Sequence, residues 1–153
     1  MFSQRRGQPL AVTSSAGLNA DTIRKSNVRE HPDVSAQASL AKNKLCVLVW
    51  HYHDDDVSGP DAAVDLALSG IPFKSGKVTL TQYRIDAGHS NSYETWKRMG
   101  SPFPLSAAQH AQLEKAGQLA VLGQPETVRV NDGRAEVKFK LPRQAVSLLV
   151  LTW

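Results

Sequence analysis

Histidines, carboxylates and aromatic rings concentrate in two polar segments of the sequence, residues 51–61 and 86–96. Both follow apolar stretches, so we expect loops held by a rigid scaffold, which is where binding groups are usually found. We therefore predict a functional role for both loops. The candidate residues are His51, His53, Asp54, Asp55, Asp56, Asp86, His89, Asn91, Tyr93 and Trp96.

His51 and His53 are the pair that could bind a metal. Because they lie two positions apart on a strand, they share a face, a spacing that metal sites use. A third ligand such as His89 or Asp86 would have to come from another loop, and two histidines alone rarely suffice. We therefore predict strand-end histidines that are hydrogen-bonded to nearby carboxylates or packed at an interface, and we assign no metal and no cofactor. A metal at this pair stays an open alternative.

The run Asp54-Asp55-Asp56 could supply carboxylates for catalysis or for a cation. Catalysis by a carboxyl pair needs the two groups to face one substrate from two sides, whereas side chains of consecutive residues diverge. The run also lacks the glycine and the terminal glutamate of a calcium loop. Three exposed loop charges are therefore the expectation.

Alternation of apolar and polar residues predicts strands separated by short turns. Val34–Leu40 and Leu45–Tyr52 form a hairpin, and both faces of the second strand are apolar enough to place it in the centre of a sheet. Asn131-Asp132-Gly133 is a tight-turn signal. The other predicted strands are Leu10–Ser14, Ala63–Leu68, Lys77–Ile85, Glu126–Val130, Ala135–Leu141 and Val146–Trp153.

Helical segments interrupt these strands. A short helical turn begins at Asn19 or Asp21, Gly100 ends a helix over residues 92–99, and Ser106 caps a helix that continues through Leu119. The pattern predicts a mainly β fold, an antiparallel β-sandwich with one or two short helices inserted between strands.

The composition is that of one folded domain, with 153 residues, 41% hydrophobic and 21% charged. Its net charge of +4 is scattered, without basic runs beside stacking aromatics, so we expect no nucleic-acid partner. Cys46, the sole cysteine, lies in an apolar run and should be a buried thiol. No signal-peptide core and no stretch of membrane-spanning length is visible, so we expect no membrane partner, and the compartment is undetermined.

Three stretches resemble the region that follows the catalytic barrel in family 39 glycoside hydrolases, which include β-xylosidases and α-L-iduronidases. They occur in the family's order and are Val47–Asp56, Tyr83–Trp96 and Met99–Pro102. The terminal strand Leu148–Leu151 also fits. The resemblance runs from about Ala11 to Trp153 and is closer to the bacterial β-xylosidases than to the iduronidases.

The resemblance implies a C-terminal β-sandwich, residues 34–153, preceded by an irregular segment, residues 1–33, that would follow the barrel. Its partner would be the catalytic (β/α)8 barrel of a retaining β-xylosidase that degrades xylan or xylo-oligosaccharides. The resemblance also implies that the two polar segments contact this barrel or the rim of its pocket. The family's acid/base glutamate lies in an Asn-Glu-Pro tripeptide that this sequence lacks, so no position inherits a catalytic role. Contact with a xylo-oligosaccharide is expected, and so is self-association, because an uncovered apolar interface favours it.

Other functions stay open. A carbohydrate-binding module would grip a polysaccharide through exposed rings, but Trp50, Tyr52 and Trp153 lie in apolar strands where burial is expected. Tyr93 and Trp96 could anchor an interface or fill the core. The remaining alternatives are catalysis or metal binding at the histidines and aspartates, and a truncated gene product without an independent role.

Overall fold

The computed structural model describes residues 1, 6–55 and 57–153, so Asp56 lies outside the described residues. The strands are β1 (Gln8–Leu10), β2 (Asp33–Ala41), β3 (Lys44–Tyr52), β4 (Ala62–Leu68), β5 (Gly76–Ile85), β6 (Ala120–Val121), β7 (Glu126–Val130), β8 (Ala135–Leu141) and β9 (Ala145–Thr152). The helices are α1 (Ala20–Ser26), α2 (Ser92–Arg98) and α3 (Ala107–Ala116). The prediction of a mainly β, antiparallel fold is confirmed.

The strands form one large and one small sheet, in which all neighbours are antiparallel. The large sheet has seven strands in the order β1-β2-β3-β9-β5-β6, and β7 also pairs with β5. The small sheet consists of β4 and β8. The central position predicted for the second hairpin strand is confirmed, because β3 pairs with β2 on one side and with β9 on the other.

The main core lies between the two sheets, where one side chain of every two on each strand points inward. In β3, Leu45, Val47 and Val49 face this core, and Leu149 and Leu151 of β9 lie opposite them in the register. The other buried members include Val78, Leu80, Val130, Ala135, Val137, Leu141 and Ala145.

The outer face of the large sheet is apolar as well. Cys46, Leu48, Leu148 and Val150 are buried there, and Met1 is among the side chains that pack on them. The burial predicted for the Cys46 side chain is confirmed. Apolar residues on both faces explain why β3 and β9 are almost uninterrupted hydrophobic runs.

Three local predictions need correction. The first strand is β1 and ends at Leu10, because the chain pairs with β2 there and returns to it only at Ala16, opposite Val34. The helical turn predicted from Asn19 or Asp21 is a full helix, α1, so three short helices interrupt the strands among the described residues. The short β6 was missed, since its two residues carry no detectable period.

Caps and turns explain where other elements begin and end. Asn19 and not Asp21 caps α1, since its side chain accepts from the Thr22 amide. Ser106 and Gln109 form a capping box at α3, and Gly100 takes φ +85° just after α2. Asp132 and Gly133 both have positive φ, as a tight primed turn requires. None of the described helices combines the length and hydropathy that a membrane crossing demands.

Candidate functional site at one end of the sandwich

Strand directions bring the two polar segments to the same end of the sandwich. β3 and β5 both pair antiparallel with β9, so they run parallel to each other and finish at the same edge. Residues 51–61 continue from β3, and residues 86–96 continue from β5. Because only β9 intervenes, about 10 Å separates the two strands at this end.

His51 and His53 lie side by side, with ring centroids 5.4 Å apart. Nδ1 of the buried His51 lies 3.0 Å from the carbonyl oxygen of Leu141. His53 is 7% exposed, and its Nδ1 has no hydrogen-bond partner among the described residues. Burial lowers the pKa of His53, and the positive charge of Arg143 lowers it further. His53 is therefore neutral at pH 7.

Asp54 ties this segment to the N-terminal part of the chain. Its Oδ2 accepts from the amide of Val28 at 2.6 Å, and its own amide donates to the Val28 carbonyl at 3.0 Å. Its Oδ1 accepts from the Tyr52 hydroxyl at 2.8 Å. The Val28 amide and then the Tyr52 hydroxyl lower the pKa of Asp54. Asp54 is thus half-buried and bonded, which corrects the expectation of an exposed charge.

Asp55 pairs with Arg143, which lies between β8 and β9. The Arg143 hydrogen bond is the main reason that the pKa of Asp55 is lowered. The side-chain amide of Gln144 donates through Nε2 to the carbonyls of His53 and Asp55, at 2.6 Å each. Asp55 is half-buried as well, so this expectation of an exposed charge is also wrong.

An open depression of about 470 Å³ lies beside these groups, lined by Tyr52, His53, Asp54, Asp55 and Gln144. Tyr52 is 46% exposed on its wall, so the expectation that this ring is buried is wrong. Asp33, opposite Tyr52 in β2, accepts from the indole nitrogen of Trp50 at 2.7 Å.

A buried cation lies at the start of the second segment. Arg84 is 3% exposed; its Nε donates to the Ser147 hydroxyl at 2.7 Å, and a terminal nitrogen donates to the Lys140 carbonyl at 3.1 Å. The other terminal nitrogen lies 3.6 Å from the Asp86 carboxylate. Burial lowers the pKa of Arg84, and Asp86 partly offsets that effect.

Asp86, His89 and Asn91 build the turn that leads into α2. One Asp86 oxygen accepts from the amides of Gly88 and His89 and lies 2.8 Å from Nδ1 of His89. Burial raises the pKa of Asp86, but these bonds outweigh it, so that the pKa lies below its usual value. Asn91 donates to the Asp86 carbonyl at 3.1 Å and caps α2 through the Glu94 amide.

The aromatic residues of this segment lie outside the core between the sheets. The rings of Tyr93 and Trp96 stack with centroids 5.8 Å apart, and Tyr93 is 60% exposed. The indole nitrogen of Trp96 donates to the Pro102 carbonyl at 3.1 Å. Phe103, in the loop between α2 and α3, is 95% exposed. We call residues 86–119, which contain α2 and α3, the helical excursion.

The structure thus places the predicted residues in two bonded groups and one aromatic stack. Within residues 1, 6–55 and 57–153, no three histidine, cysteine or acidic side chains are arranged to hold a metal. Sequence reasoning missed the residues that organise both groups, Arg84, Arg143 and Gln144, and it missed Phe103. Their only signals were polar residues within or between apolar strands, and a ring flanked by two prolines.

No protein-family model matches the chain. Solved structures do resemble it. A GH39 enzyme from Xanthomonas axonopodis pv. citri has a TM-score of 0.63 and 23% identity, over 76% of this chain and 25% of that one. A bacterial orthologue of human α-L-iduronidase has a TM-score of 0.61 and 23% identity, over 79% of this chain and 22% of that one.

A monomeric β-xylosidase from Caulobacter crescentus CB15 has a TM-score of 0.59 and 16% identity, over 82% of this chain and 28% of that one. In each of the three, the matched region belongs to a longer chain, of which this protein spans 22–28%. The chain therefore has the fold of a region that makes up about a quarter of solved GH39 enzymes.

Proposed function

We propose that this chain is the accessory C-terminal β-sandwich of a family 39 glycoside hydrolase of the β-xylosidase type. Residues 34–153 would form the domain, and residues 1–33 would be the segment that follows the barrel. The observation that carries the proposal is the fold likeness over 76–82% of the chain to enzymes several times longer. The sandwich would support the catalytic barrel of an enzyme that acts on xylan or xylo-oligosaccharides.

The lack of independent catalysis is inferred from the bonding of the acidic side chains. A retaining glycosidase needs two carboxyl groups about 5–5.5 Å apart in one pocket, one of them free to donate a proton. Asp54 is held by Val28 and Tyr52, Asp55 by Arg143, and Asp86 by its own turn. Each of the three pKa values is lowered, which disfavours a role as proton donor at neutral pH.

The surface proposed to meet the barrel is the end of the sandwich that carries both polar segments. Exposed aromatic rings are frequent anchors of protein interfaces. Phe103 and Tyr93 on the helical excursion have this character, and Tyr52 adds a third ring at the same end. His51, His53, Asp86, His89 and Asn91 would hold the surface in shape from below.

Genomic DNA on the 5′ side of the Met1 codon, and the neighbouring reading frames, test the proposal most directly. We expect a barrel-coding sequence that contains an Asn-Glu-Pro tripeptide, either in frame or in an adjacent gene. If neither place holds one, the proposal is wrong. Purified chain should also fail to hydrolyse aryl xylosides, and turnover that disappears when one of its own acidic residues is replaced would contradict the accessory role.

If such a barrel is found, docking can be measured with the two parts as separate chains. Phe103→Ser and Tyr93→Ser should each weaken binding by at least about tenfold, as expected for ring anchors. Thr127→Ser, on an exposed position of β7, is the matched control and should bind as the unchanged chain does. Equal binding by all variants would exclude this end as the contact surface.

A second candidate function is carbohydrate binding, which the exposed Tyr93 ring stacked on Trp96 supports. Sugar rings bind to open aromatic faces, and xylo-oligosaccharide contact would then use this pair. Affinity electrophoresis in soluble xylan separates the two functions. Retarded migration that Tyr93→Ser abolishes favours a binding module, and unchanged mobility eliminates it.

A further inference from the structure

The edges of the two sheets are protected to very different degrees. An exposed strand edge is a template for pairing with another chain, and proteins block it with short strands, proline and charge. In the large sheet, β1 has three residues with Pro9 in the middle, and β6 has two residues. The edge strand β7 carries Glu126 and Arg129. Edge-to-edge pairing is therefore disfavoured along this sheet.

β4 lacks these devices on its outer edge. It has seven residues, Ala62–Leu68, without proline or lysine, and its single charge, Asp65, is paired with Lys138 of β8 at 2.8 Å. Among the described residues, β8 is the only strand that pairs with it. A cleft of about 210 Å³ separates β4 from the nearby segment 12–16. This segment bonds to β2 instead, where the Ala16 carbonyl accepts from the Val34 amide at 3.0 Å.

The core beneath β4 is also less covered than the core beneath its neighbour. The inward side chains Val64, Leu66 and Leu68 are only half-buried, whereas Val137 and Leu141 of β8 are 8% and 0% exposed. A further strand beside β4 would cover the exposed parts of those side chains.

We propose that β4 pairs antiparallel with β4 of a second copy of this chain, so that the two small sheets form one continuous four-stranded sheet. A twofold axis at Leu66 places Val64 opposite Leu68 of the second copy and Asp65 opposite Ala67. The apolar side chains then stay on the core face. An axis at Asp65 would place two carboxylates opposite each other, which destabilises a strand pair.

Sedimentation equilibrium over a wide concentration range tests the pairing. We expect the chain to dimerise and Ala67→Asp to weaken the dimer about fivefold or more, because two new carboxylates face Asp65 of the opposite copies. Ala67→Lys puts the opposite charge at the same place and should retain the dimer. Thr127→Asp adds the same charge to another exposed edge strand and should leave association unchanged.

Hydrogen exchange on the unchanged chain gives a readout that needs no variant. Amides of β4 should gain protection as concentration rises, while those of β1 and β7 should not. A monomer at every concentration overturns the proposal, and so does a dimer that both charges at position 67 weaken equally or leave unaffected. Protection that appears on the outer face of the large sheet instead of on β4 also overturns it.

Discussion

The two polar segments lie at the same end of the sandwich, yet they differ in which side chains are bonded and which are exposed. In residues 51–55, the His51 imidazole bonds to Leu141, the His53 imidazole is buried, and the carboxylates of Asp54 and Asp55 bond to Val28 and Arg143. In the helical excursion, Asp86, His89 and Asn91 bond within the turn at its base, while the rings of Tyr93 and Phe103 are exposed. Residue types that suggest chemistry thus serve structure here, and residue types that suggest a core form the exposed surface.

Energetics follow from this difference. Removing the partner of a buried polar group lowers the free energy of unfolding by the full desolvation cost of that group. Removing an exposed ring changes the free energy of unfolding little. Changes at the base of either segment should therefore reduce stability, and changes at the tip of the excursion should affect only binding.

The largest effect is expected at Arg84, which anchors the excursion to the sheet. Arg84→Met should lower the free energy of unfolding by about 3 kcal/mol, because it leaves the buried Ser147 hydroxyl and the Asp86 carboxylate without this partner. Urea denaturation measures the loss. Arg98→Met on the exposed side of α2 is the control and should stay within about 0.5 kcal/mol of the original protein. Similar losses for both variants would mean that the excursion has no buried anchor.

A smaller effect on stability is expected from acidification. It tests whether His53 is buried in the folded chain. Its pKa is lowered in the folded chain, first by burial and then by Arg143, from 6.5. The unfolded chain therefore binds the proton more readily, so that stability falls as the pH drops below about 6.5 and levels off below the folded pKa. The pKa values of Asp54, Asp55 and Asp86 are lowered from 3.8, so these groups change the stability only near and below pH 3.8. Protonation there removes their contribution to stability.

His53→Gln should remove the loss of stability between about pH 6.5 and 4.5, as measured by urea midpoints across that range. His110→Gln is the control, because that imidazole is exposed on α3, with 65% of its side chain accessible. A pH dependence that survives His53→Gln and disappears with His110→Gln would reverse the assignment of buried and exposed roles.

The smallest effect on stability is expected at the tip of the excursion. Phe103→Ser should change the free energy of unfolding by less than about 0.5 kcal/mol, since the ring is already 95% exposed. Thermal denaturation of the isolated chain checks this. A loss comparable to that of Arg84→Met would show that Phe103 belongs to the packed structure and would break the comparison.

Much of this arrangement was predictable from local pattern. The alternation in residues 34–52 and 77–85 predicted long strands, and apolar residues on both faces predicted the central place of β3. Gly100 as a helix end and Ser106 as a helix cap predicted two of the helices. The candidate loops were recognised as polar breaks after strands, and their proposed contact with a barrel stays a prediction.

Other features could not be predicted, because they depend on partners far apart in the chain. Nothing near Asp54 indicates that Val28 will bond to it, and nothing near Asp55 indicates Arg143. Tyr52 and Phe103 are residue types that are common in protein cores, and only the packing of neighbouring elements leaves them exposed.

By itself, the sequence determined the elements of this protein and its antiparallel β class, because period-two alternation, capping residues and turn residues act over a few positions. Tertiary structure alone decided which charges are neutralised, which rings face solvent and which strand edge is left open. These properties arise from contacts between residues up to about ninety positions apart, such as His51 with Leu141, and a local pattern carries no information about such pairs.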